Sequence, residues 1–207
     1  MKNRDAFTLI EMLVVIAIIA LLATMIIPAS GKVLEKARTM QCSQNLRSIH
    51  MALCQYANDH NNTMVPPWGI NSSDNKRFGY YIRPYLEGGE EGENPWGVPE
   101  RYRCPTANFY PVNVHSTGMN PNYSTRPYLD FPNLAGSILV ADAKSAFSLV
   151  YSSSSTTKLH ARHNDPNRSA TGSVSAVFGD GHWGLIPYPD LPDSKPWDEY
   201  KLLNPNL

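Results

Sequence analysis

The chain has 207 residues, a formal net charge of zero and a pI near 7.0. Charged residues make up only 17%, below the usual quarter, so general nucleic-acid binding through phosphate neutralisation is not expected. Three cysteines are too few for a disulfide scaffold and wrongly spaced for a zinc ribbon, while 17 prolines and 11 tyrosines point to a loop-rich domain plus an appendage.

The chain opens MKNRDAFTLIEMLVVIAIIALLATMIIPASGK, and from Met12 to Ile27 only Thr24 is polar. The run 7–27 is 21 residues long. As a helix it spans roughly 30 Å, the thickness of a bilayer core. Lys2 and Arg4 precede it and hold that end in the cytoplasm, so the chain beyond Pro28 is expected to be exported. A plain membrane anchor fits these facts. So does a secretory signal peptide cut after Gly31, with small Ala29 and Gly31 near the cut. Both leave Glu11 unexplained, because a carboxylate at the mouth of a span is costly unless paired.

The stretch AFTLIEMLVVIAIIALLATMIIP closely resembles the class III signal of type IV pilins and type II secretion pseudopilins. The resemblance implies a leader, residues 1–6, cut on the cytoplasmic side between Ala6 and Phe7. It implies N-methylation of Phe7 and retention of the apolar segment 7–27. Glu11 becomes the fifth mature residue, and Pro28 falls where the family often has proline. The chain departs from the family in having Ala6 where glycine is preferred before the cut. When subunits pack into a filament, the new amino group of one Phe7 could meet Glu11 of a neighbour. Opposite charges attract strongly in low dielectric, so the pair would favour one stagger over others.

Pro28-Ala29-Ser30-Gly31 is expected to kink or melt the helix. A helical pattern then resumes. Cys42, Leu46, Ile49, Leu53 and Tyr56 form one apolar stripe facing a core, with Lys32, Lys36, Arg38 and Arg47 mostly off it on a solvated face. The breaker cluster NDHNN at 58–62 ends this second half, residues 28–62. The exported head is then 63–207. Its first part, 64–97, shows no helical period and reads as a long surface segment with short extended pieces. The acidic stretch 87–94 (EGGEEGEN) reads as a solvated loop, since it lacks the spacing of a calcium loop. Strands are expected at 137–142 (SILVAD), 173–178 (SVSAVF) and 182–186 (HWGLI). Asp180-Gly181 between the last two is a tight-hairpin signal. The expected fold class is therefore α+β, a pilin-like long helix packed on a small antiparallel sheet with long loops.

Cys42 and Cys54 are too far apart along one helix to pair. The exported compartment permits disulfides. Cys42–Cys104 is the expected bridge, Cys54–Cys104 competes with it, and three buried thiols are the plain alternative. The pattern Cys42-Ser-Gln-Asn-Leu46, Cys104-Pro105, Ala141-Asp142, Arg162-His163 and Phe178-Gly-Asp180-Gly-His182 resembles pilin-like proteins abundant in planctomycetes and related bacteria. Sixteen residues separate His163 from Asp180 here, a wider spacing than in that family. Asp142, His163, Asp180 and His182 are candidate metal ligands or acid–base groups. The favoured reading is structural: Asp180-Gly181 makes a turn, and His163 bonds a carboxylate that locks the last strands. No nucleophile elbow, His-Glu-x-x-His or P-loop is present. The chain is thus expected to be a structural filament or pseudopilus subunit, not an enzyme, without cofactor. Its implied partners are the prepilin peptidase, other pilin-like subunits, an inner-membrane assembly platform and the membrane. An anchored binding module is the competing reading, with Trp68, Trp96 and Trp183 as stacking platforms.

Overall fold

The computed structural model describes residues 8–66, 76–87, 98–109, 117–143, 159–164 and 172–187, apart from the side chains of 25–30, 87, 108 and 109. It falls into two units, residues 1–37 and residues 38–207.

Helix α1 runs Leu9–Asp59. Its start is written in Thr8-x-x-Glu11. Glu11 Oε2 accepts from the Thr8 backbone N–H at 2.8 Å and from the Thr8 hydroxyl at 2.7 Å, while the Glu11 N–H donates to Thr8 Oγ1 at 3.4 Å. This reciprocal box satisfies amides that a helix start leaves without partners. Within the first unit every large apolar side chain from Leu9 to Leu22 is exposed, on all sides of the helix. The Thr24 hydroxyl is satisfied by the Leu21 carbonyl at 2.7 Å. Among the described residues no helix is long and apolar enough to cross a membrane. The expected melting at Pro28 does not occur, and the backbone stays helical through it. Proline removes a single i→i−4 bond, and a helix continuing on both sides can absorb that loss.

From Arg38 onward α1 belongs to the head unit. Cys42, Leu46, Ile49, Leu53 and Tyr56 are all buried, as the stripe predicts, with Ala52 and Ala57 beside them. The helix stops where Asn61 and Asn62 adopt positive φ of 52° and 60°, a conformation asparagine tolerates better than most residues. His60 finishes the end: its ring stacks on Tyr56 at 3.8 Å and its Nδ1 lies 2.8 Å from the Tyr56 carbonyl.

The stretch 64–97 is not all extended, because helix α2 occupies Phe78–Glu87. Phe78 and Ile82, one turn apart, are fully buried in the core that receives the α1 stripe. Tyr81 and Tyr85 meet Tyr56 edge to face at 6.3 and 6.1 Å. The Tyr85 hydroxyl donates to Asp59 at 2.9 Å, and the Tyr102 hydroxyl to the terminal Leu86 carbonyl at 2.9 Å. Acidic residues 88–94 lie outside the described residues.

Four strands form one antiparallel sheet in the order β1 (Thr117–Met119), β2 (Ile138–Asp142), β3 (Ser173–Phe178), β4 (Trp183–Pro187). Strands β2 and β3 are buried throughout. Val140 and Val177, together with Met119 of β1, join the α1 core, while Ala141, Val174, Ala176 and Phe178 join a second apolar cluster with Leu159, Ala161 and Ile186. The alternation of the strand thus sends Val140 and Asp142 to the same side, toward α1. The hairpin between β3 and β4 turns through Gly179-Asp180-Gly181. The Gly181 N–H donates to the Phe178 carbonyl at 3.0 Å, and φ of +88° at Gly181 suits glycine.

Candidate functional site

Among the described residues, a cluster of buried charged and thiol groups lies where α1 meets the end of β2. Asp142 is fully buried. Its Oδ2 accepts from His163 Nε2 at 2.9 Å and from the Ser175 N–H at 3.2 Å. Its Oδ1 faces the Cys42 thiol at 3.5 Å and Arg162 Nε at 4.0 Å. Cys104 Sγ lies 3.4 Å from His163 Nε2 and 2.8 Å from Thr106 Oγ1. On the far side of the imidazole, Thr39 Oγ1 sits 3.1 Å from Nδ1. One potential ligand atom from each of Cys42, Cys104, Asp142 and His163 lies within 4.8 Å of the others, and all four residues are buried.

Each piece is placed by ordinary local structure. Cys42 opens the apolar stripe of α1, and Thr39 precedes it by one turn. Cys104 sits just before the 3-10 turn Pro105–Phe109. His163 is held in a two-residue antiparallel bridge to Ser173, at the entry of β3. Arg162 anchors itself by donating from Nη2 to the Ala143 carbonyl at 2.7 Å, while its buried Nε and Nη1 find no hydrogen-bond partner among the described residues.

The electrostatics reflect that packing. Burial pushes the Asp142 carboxyl upward, but the Arg162 guanidinium, then His163 and the Ser175 N–H, overcome it and hold the group below the ordinary carboxylate range. Burial would neutralise His163; the bonds to Asp142 and Cys104 reverse this and raise it to about 9. Cys104 also feels burial, yet the neighbouring Cys42 thiol and His163 pull it down to about 6. Cys42 moves the other way, raised chiefly by burial. The cluster is a compensated network of opposite charges inside the core.

Two expectations change here. Asp142 and His163 do come together, but Asp180 and His182 do not join them. Those two pair with each other at the hairpin, His182 Nδ1 to Asp180 Oδ1 at 2.6 Å, with side chains 49% and 39% exposed. The four-residue ligand set read from the sequence is therefore replaced by Cys42, Cys104, Asp142 and His163. The two cysteines expected to pair are neighbours, but all three cysteines are thiols in the structure. Cys54 stands apart, 3.7 Å from His50 Nε2. The expected carboxylate bond of His163 is made. Of the proposed aromatic platforms, Trp183 is half-buried and donates to Ser175 Oγ at 2.7 Å. Trp68 and Trp96 lie outside the described residues, as do Ala6 and Phe7. Glu11 has a role that the sequence signalled through Thr8-x-x-Glu11 and that charge reasoning alone missed: it caps its own helix.

The chain therefore combines a capped helix, exposed and apolar at its start, with an α+β unit in which a long helix packs on a four-stranded antiparallel sheet. Residues 1–27 match the prokaryotic N-terminal methylation motif, and residues 32–94 match a family described as protein of unknown function, DUF1559. The chain is 27% identical over 128 residues to the type II secretion system core protein G of Aeromonas hydrophila, covering 60% of this chain and 89% of that one. It is 28% identical over 108 residues to the core protein G of Vibrio cholerae serotype O1, covering 51% and 74%. No solved structure matches. The chain is thus similar to pseudopilins in its N-terminal motif and over the 128 residues it shares with the Aeromonas core protein G.

Proposed function

We infer that this chain is a structural subunit of a type II secretion pseudopilus or a type IV pilus-like filament. The observation that carries the reading is the N-terminal helix, whose methylation motif leads into a segment with every large apolar side chain from Leu9 to Leu22 exposed. Such a surface in a single chain calls for lipid or for like helices around it. The run 7–27 meets each in turn. As a precursor it spans the inner membrane with the head exported to the periplasm; in the filament it packs among its neighbours. The prepilin peptidase cuts between Ala6 and Phe7 and Phe7 is methylated, so the chain is a substrate of that enzyme rather than an enzyme. Other pilin-like subunits and the inner-membrane assembly platform are its partners.

The capping box gives Glu11 two successive roles. In the single chain it satisfies Thr8. In the filament its second oxygen is available to the methylated amino group of a neighbouring Phe7. The test is the intact mass and N-terminal sequence of the protein from its native membrane. A chain starting at N-methyl-Phe7 is expected. An unprocessed Met1 would reduce it to a plain anchor, and a start at Lys32 would refute filament assembly.

A further inference from the structure

We propose that Cys42, Cys104, Asp142 and His163 form a structural site for a zinc-class divalent ion in the head. This goes beyond the filament role and does not depend on processing at Phe7.

Geometry carries the proposal. A tetrahedral zinc with bonds of about 2.0–2.3 Å has ligand–ligand edges of roughly 3.3–3.8 Å. The Cys104–His163 edge is 3.4 Å and the Cys42–Asp142 edge, taken to the same Oδ2 that faces His163, is 3.8 Å. The His163–Asp142 edge, 2.9 Å, is a hydrogen bond that an ion would open slightly. All six edges are within 4.8 Å, so closing the set needs movement of about 1 Å at most. Two thiolates, an imidazole and a carboxylate suit zinc and disfavour magnesium or calcium, which take oxygen ligands. Four protein ligands in a buried site leave no open position, the mark of a structural rather than a catalytic ion.

The surroundings supply what such a site needs. Thr39 holds His163 Nδ1, leaving Nε2 directed at the cluster, and the Ser175 N–H fixes the carboxylate. The second observation is Arg162. Its side chain is wholly buried beside Asp142, with two nitrogens lacking hydrogen-bond partners among the described residues. A divalent ion held by two thiolates, one carboxylate and a neutral imidazole carries a net charge of −1. The guanidinium balances it. The ligands come from α1, the segment before a 3-10 turn, β2 and the entry to β3, so the ion would clip four separate parts of the head together.

The test uses the full chain purified in detergent, under reducing conditions and without chelator. Native mass spectrometry is expected to find one zinc per chain. Exchange for cobalt(II) is expected to give a tetrahedral spectrum with thiolate-to-metal charge transfer. Thr39→Val, which removes the hydroxyl behind His163, is expected to weaken zinc about 10- to 100-fold. His182→Ala, at the surface hairpin, is expected to leave zinc binding unchanged. Reduced wild-type chain that takes up neither zinc nor cobalt overturns the proposal. So does cobalt uptake without sulfur charge transfer. Because the wild-type cobalt spectrum reports sulfur ligation directly, the outcome does not hang on a cysteine variant that fails to fold.

Discussion

Replacing Asp142 with alanine in metal-free, reduced protein isolates the electrostatics of the cluster. The carboxylate accepts from His163 at 2.9 Å and from the Ser175 N–H at 3.2 Å, and it faces Arg162 at 4.0 Å. Each charged hydrogen bond contributes about 1.5–3 kcal/mol, and these contributions do not add. The larger effect is the charge left stranded. Arg162 is fully buried, and without Asp142 its charge has no counterpart on that side. Breaking a buried pair from one end costs about 3–5 kcal/mol. For a head of this size that is a fall in Tm on the order of 10 °C. The assay is thermal and urea unfolding of the full chain in detergent, with chelator and reductant present, monitored by tryptophan fluorescence and near-UV circular dichroism. Asp142→Ala/Arg162→Met is expected to recover at least about 1 kcal/mol of the loss, because the stranded charge is gone. A single-variant loss below about 1 kcal/mol, or a double variant no better than the single, would refute the idea that these groups form a compensated network.

Leu53→Ala, at a fully buried position on the α1 stripe, is expected to destabilise the head by about 2–5 kcal/mol in the same unfolding assay. Gly181→Ala is expected to cost about 1–2 kcal/mol, since φ is +88° and the new Cβ would meet His50 Cε1 at 3.0 Å; a neutral result would mean that the hairpin relaxes freely. Glu11→Gln preserves an acceptor for Thr8 but removes the charge. It is expected to keep helix protection by amide exchange while lowering filament incorporation in a co-assembly assay, whereas Glu11→Ala should lose about 0.5–2 kcal/mol of cap stability as well.

Much of the fold was legible because it rests on periodicity. The α1 stripe, its end at the asparagines, and β2, β3 and β4 emerge from spacings of 3.6 and 2. Helix α2 was hidden by Gly79 and Pro84, two residues that argue for a turn, although Phe78 and Ile82 already stand one helical turn apart. Strand β1 is three residues long and contains Gly118, too little pattern to read. The site was half legible. Asp142 and His163 were marked, but their nearness in sequence pattern to Asp180 and His182 suggested the wrong companions. Strand parity held the correction: Asp142 alternates with Val140 and so faces α1, where Cys42 opens the stripe, while the turn carries Asp180 to the surface. The expected pairing of Cys42 with Cys104 already placed Cys104 there, although the two stand together as thiols.

The cluster also bears on how the head comes apart. Cys42 and Asp142 are separated by 100 residues, and Cys104 and His163 by 59. Those contacts exist only after long loops have closed, so they are expected to form late, after the transition state for folding. Interactions absent from the transition state slow unfolding and leave folding speed nearly unchanged. The cluster thus acts less as a guide for the folding chain than as a latch on the finished one.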